Sequence, residues 1–113
     1  MNNIEIKNAV IEDTSLGFED RGILTAFLYL NYGNSSQGFG GYSMTGQFCS
    51  EFIKNVLTTV GVENWEELKG KHIRAETEHT KIHRIGNIIK DEWFSPSELA
   101  EKITHQLDKD NIK

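Results

Sequence analysis

Residues 3–12 alternate, with Ile4, Ile6 and Val10 on one side and Glu5 and Lys7 on the other, the period of a β-strand. Residues 14–22 hold Gly17, Asp20 and Gly22 and read as a turn. Residues 22–32 carry the run Ile23-Leu24-Thr25-Ala26-Phe27-Leu28-Tyr29-Leu30. Both of its faces are apolar, which predicts a central strand covered on both sides and hairpinned to the first. Over 45–60 the period changes. Phe48, Cys49, Phe52, Ile53, Val56, Leu57 and Val60 form one helical stripe, with Thr45 as N-cap and Gly61 where a left-handed C-cap belongs.

Asn64-Trp65-Glu66-Glu67 opens a short helical turn that Gly70 ends. Residues 71–77 and 82–89 follow as two strands joined through Thr77–Lys81. Ser95 caps a last helix with Pro96 at its first position and Glu98 three residues on; Leu99, Ile103 and Leu107 form its stripe. The expected fold is one α+β domain over residues 1–113. It is an antiparallel sheet in the order β-β-α-β-β-α, one amphipathic helix packed on it, a C-terminal helix, and a tail that frays over 108–113. The sequence shows no internal repeat, and it leaves open whether the sheet curls toward a barrel.

Composition narrows the partners. Charged residues are 26% and the net charge is −5, which argues against a broad phosphate-binding surface and makes nucleic acid an unfavoured partner. Apolar runs are too short to span a membrane, no secretory segment is visible, and one cysteine makes no internal disulfide, so a cytoplasmic location is expected.

The chemistry-bearing stretch is 32–42, with four glycines and three aromatics in eleven residues. Read as a loop, Gln37, Gly38, Phe39, Gly40, Gly41 and Tyr42 would bring backbone amides to a phosphate or ribose and an aromatic ring to a base. The competing reading is a structural connection with its aromatics in the core. The spacing matches neither the dinucleotide fingerprint nor the phosphate-binding loop. Residues 71–90 gather Lys71, His72, Arg74, Lys81, His83, Arg84 and Lys90. Arg74, Arg84 and Lys90 would neutralise phosphate and Trp93 would stack, against the alternative of a solvated sheet face. Strand alternation puts His72, Arg74 and Glu76 on one face, and Ile82, Arg84 and Ile88 on one face. The histidines lack a completing ligand set, Cys49 lies on an apolar stripe, and no serine sits in a nucleophile elbow, so neither metal, cofactor nor catalysis is expected.

The runs Leu16-Gly-Phe-Glu-Asp-Arg-Gly-Ile-Leu-Thr25, Gln37-Gly-Phe-Gly-Gly-Tyr42, Val60-Gly-Val-Glu-Asn-Trp65, Leu68-Lys-Gly-Lys71 and Ile85-Gly-Asn-Ile-Ile-Lys-Asp-Glu-Trp-Phe94 resemble a family of small phage and prophage accessory proteins without an assigned activity. The resemblance covers nearly the whole chain. It implies a phage context in which a small protein without catalytic residues acts by binding. The expected function is counter-defence: sequestering a small nucleotide-type host immune signal. The alternatives are an anti-CRISPR-like inhibitor that docks on a host defence protein, and a single-strand DNA-binding recombination accessory protein. Unpaired sheet edges add an expectation of homo-oligomers.

Overall fold

The structure, a computed structural model, describes residues 3–111, with side chains described as far as Gln106. Six strands and two helices follow one another as β1 (Glu5–Phe18), β2 (Leu24–Asn31), β3 (Ser36–Gly40), α1 (Gly46–Val60), a 3-10 turn (Trp65–Glu67), β4 (His72–Glu78), β5 (Lys81–Asn87), β6 (Trp93–Phe94) and α2 (Pro96–Asn111). The domain is α+β, with one antiparallel sheet in the order β3-β2-β1-β4-β5-β6. Each half is a three-strand meander followed by a helix, and the halves meet where β1 pairs with β4, Val10 opposite His72. The βββα unit therefore occurs twice, a repetition of topology that the sequence does not show.

Several expectations change. Residues 14–18 belong to β1, because each finds a partner on β2 from Thr14↔Leu28 to Phe18↔Leu24; only Glu19–Ile23 turn. The glycine-rich segment is a strand, with Gln37 through Gly40 pairing Leu30 through Phe27. β2 is fully buried on one face and only in part on the other, where Thr25 is covered. Ala26, Leu28 and Leu30 enter the core, while Phe27 and Tyr29 stack on each other at 5.6 Å on the other face. β5 ends at Asn87 rather than running through residue 89. A bulge against Glu76/Thr77 sends Ile82 into the core and leaves Arg84 outside, so these two do not share a face. β6 had no signal in the sequence. The C-terminal helix continues to Asn111, with Leu99 and Ile103 half-buried; the side chain of Leu107 and residues 112 and 113 lie outside the described residues.

The concave face of the sheet holds the core: Ala9, Ile11, Ala26, Leu28, Leu30, Phe39, Ile73, Ala75, Ile82, Ile85 and Phe94. The helix α1 seals it with Phe52 and Val56, both buried as its stripe requires. Gly61, at φ 92°, stops the helix and gives its N–H to Leu57 O at 2.9 Å. Ser95 Oγ receives the Glu98 N–H at 3.3 Å and starts α2, as its position before Pro96 predicts. Among the described residues no helix covers the convex face.

Candidate functional site

The ten residues that the sequence nominates do not converge on one site. Register and alternation divide them between the two faces of the sheet. Phe39 is buried opposite Leu28, with its ring 6.0 Å from Phe52 and 6.3 Å from Phe94, so neither ring face is open. Tyr42 leans on Phe48 and Phe52 at about 6 Å, one edge exposed. Gly38 lies beneath the Phe27 and Tyr29 rings. Gly40 and Gly41 bring the chain against β2, and the Gly41 N–H bonds to Ala26 O at 2.9 Å. These glycines are spent on close strand packing.

Arg74, Arg84 and Trp93 do come together, on the convex face. Arg74, Gly86 and Trp93 form one cross-strand row. With no Cβ at Gly86, the indole lies flat over that residue. The guanidinium carbons of Arg74 and Arg84 sit 4.7 and 4.4 Å from the ring centroid. Both cations are already engaged. Arg74 gives Nε–H to Asn87 O and Nη2–H to Lys90 O, each at 2.8 Å, and Arg84 pairs with Glu76 at 3.0 Å. Trp93 Nε1–H donates to Asp91 at 2.8 Å. Lys90 enters through its carbonyl, in the loop 88–92.

Gln37 is on the concave side and belongs to a second, polar place. Beyond the apolar core, the curled sheet ends in a mouth of about 420 Å³. Glu5 and Lys7 of β1, Tyr32 and Ser35 of the β2–β3 turn, Ser36 at the start of β3, and Thr77, Glu78 and His79 at the β4–β5 turn line it with Gln37. The hydroxyls of Tyr32 and Thr77 both donate to Gln37 Oε1 at 2.5 Å. Gln37 Nε2 donates to Glu78 O at 3.0 Å and His79 O at 3.4 Å. These bonds orient the amide and tie β3 to a hairpin some forty residues away. Lys7 Nζ stands over the Tyr32 ring at 5.1 Å and 3.6 Å from Glu5. Partial burial raises the Tyr32 pKa, partly offset by the neighbouring Thr77 hydroxyl. Glu78 is lowered, chiefly by its 2.7 Å hydrogen bond with His83.

The mouth thus presents a fixed floor of amide, hydroxyl and carbonyl groups with the Glu5 carboxylate and the Lys7 ammonium, while the Glu78 carboxylate is held by His83 and Thr80. Such a set binds polar functions by hydrogen bond and charge. Among the described residues no group of three His, Cys, Asp or Glu is placed to share a metal ion. Sequence reasoning passed over Glu5, Lys7, Thr77, Glu78 and His79 as site residues. Their signal was topological: in a meander, the turn after β2 and the turn after β4 fall at one end of the sheet, beside the start of β1. Among the described residues, no helix is long and apolar enough to cross a membrane. No family model, no curated protein and no solved structure matches this chain.

Proposed function

We propose that the protein binds a small hydrophilic ligand of the nucleotide type in the mouth of its curled sheet and holds it without turnover. In the phage setting suggested by the resemblance, this is a counter-defence role. The observation that carries the reading is the Gln37 network, a polar floor whose orientation is fixed before any ligand arrives. Glu5 suits ribose hydroxyls and exocyclic amines, the Glu78 and His79 carbonyls add acceptors, and Lys7 suits a phosphate. The glycine backbone and Phe39 take no part in this version of the site; Gln37 is the residue retained from it.

A different observation favours an inhibitor that docks on a defence protein. The convex face is an open sheet bearing Trp93, Arg84, Tyr29 and Ile6, and aromatic residues and arginine are enriched in protein interfaces. One experiment separates the readings. The protein is purified from defence-positive cells infected with phage and weighed by native mass spectrometry, before and after heat release. A small molecule carried by the parent and lost in Lys7→Ala supports the mouth. A stoichiometric host protein and no small molecule supports docking and overturns sequestration.

A further inference from the structure

The loop between β5 and β6 holds an isoleucine in the open. Ile89 is 87% exposed and its neighbour Ile88 37%. Isolated exposed apolar residues are ordinary, but this one stands on a tightly held loop. Asn87 Oδ1 accepts the N–H groups of Ile89 and Lys90, both at 2.9 Å, while its Nδ2 donates to Thr59 O at 3.0 Å. Arg74 grips the carbonyls of Asn87 and Lys90 at either end of the turn. The entropic cost of ordering an apolar projection is therefore met within the fold, before any partner arrives.

The convex face also carries a groove of about 410 Å³ near that loop. Val10 and Gly33 give it an apolar floor, with Asn8, Glu12, Asn31 and His72 around it. His72 pairs with Val10 on the strand that carries Arg74, which places knob and groove side by side on one face. Glu12 and Lys90 are both exposed, so a carboxylate stands beside the groove and an ammonium beside the knob.

An apolar knob and an apolar groove adjacent on one face, flanked by opposite charges, form a self-complementary patch of the kind a two-fold axis pairs. We propose that two copies of this chain associate through their convex faces, with Ile89 of each seated in the Val10–Gly33 groove of the other and Lys90 facing Glu12 across the interface. The occupant is a second copy, because this chain carries both halves of the contact. The inference is independent of what the sheet mouth binds.

The test is sedimentation of the purified full chain from micromolar to millimolar concentration. The parent is expected to sediment as a dimer. Ile89→Asp should sediment as a monomer with an unchanged circular dichroism spectrum, since the side chain it replaces is exposed. Glu12→Lys and Lys90→Glu should each weaken association about tenfold, and the double variant should recover it, as paired opposite charges do when swapped. A parent that is monomeric throughout overturns the proposal. So does a dimer that survives Ile89→Asp, or a double variant no tighter than the singles.

Discussion

Phe39 and Phe94 lie on strands at opposite ends of the sheet order, yet their ring centroids are 6.3 Å apart and nearly perpendicular. The two outermost strands have curled round to meet, with no pairing between β3 and β6. What joins them is Phe52 of α1, 6.0 Å from one ring and 5.4 Å from the other. Edge-to-face packing of this kind adds to area burial. The helix therefore acts as a seam that closes an open sheet. Phe52→Ala should cost about 3–5 kcal/mol in chemical denaturation, and Leu57→Ala, half-buried on the same helix, distinctly less.

Gly40 sits at φ 126°, and a Cβ there would lie 2.1 Å from Ala26 O. Gly40→Val should destabilise the domain by about 2 kcal/mol or more, from backbone strain and loss of the β2–β3 contact. Gly38→Ala meets nothing closer than 3.6 Å in ordinary backbone geometry and should stay within about 1 kcal/mol of the parent. Equal melting temperatures for the two variants would contradict this account of the glycine-rich segment.

Gln37 ties β3 to the β4–β5 turn through its side-chain amide. Replacing it by Leu leaves the Tyr32 hydroxyl without its acceptor and the His79 carbonyl without its side-chain donor, while Glu78 O keeps the Thr77 hydroxyl. A loss of about 1–3 kcal/mol is expected. Amide exchange should accelerate at Glu78–Lys81 and remain slow at Ile73 and Ile85, because the core below is untouched. Uniform acceleration would mean that the network is not local.

Gly86 and Trp93 should be coupled. A Cβ at Gly86 would meet indole carbons at 2.6–2.8 Å. Gly86→Ala should cost about 1–3 kcal/mol alone, by overpacking, and close to nothing in a Trp93→Ala background. The measurement is a double-mutant cycle by thermal unfolding. Additive costs would show that the ring does not rest on the glycine.

The Glu78–His83 hydrogen bond gives a pH signature. The carboxyl is held below its usual range, so its contribution to stability is present above the unfolded pKa and is lost as pH falls through the folded value. Glu78→Gln should be less stable than the parent at neutral pH by a nearly constant amount, and its acid limb should be shallower, so that the two curves converge as pH falls. Tyr32 works in the opposite sense. Its pKa is raised, so its contribution holds below the ordinary tyrosine value and fades as pH climbs through the folded one.

Helix α1 was legible because Phe52 and Val56 recur at a helical period that nothing else explains. β3 was not. Ser-Gln-Gly-Phe-Gly has no alternation, and glycines placed for strand-to-strand contact carry the same signature as glycines placed for a ligand. Phe27 and Tyr29 misled differently. They read as the second buried face of a central strand, but they stack on each other over Gly38 and stay partly in solvent. Two-residue β6 has no pattern to read. The sheet mouth depends on Gln37 reaching Thr77 and Glu78, a closure that local sequence does not encode, and the pairing of Arg74 with Trp93 needs the register of three strands.

The order β3-β2-β1-β4-β5-β6 also bears on how the chain folds. Every strand pairing except one joins neighbours in sequence, so each meander can form from local contacts within its own half. The exception is β1 with β4, which must close the whole stretch from Val10 to His72, including α1. Loop-closure entropy concentrates at that single junction. Closing that junction is therefore expected to carry the largest entropic share of the folding barrier, and substitutions in the β1–β4 ladder should slow folding more than those in either meander.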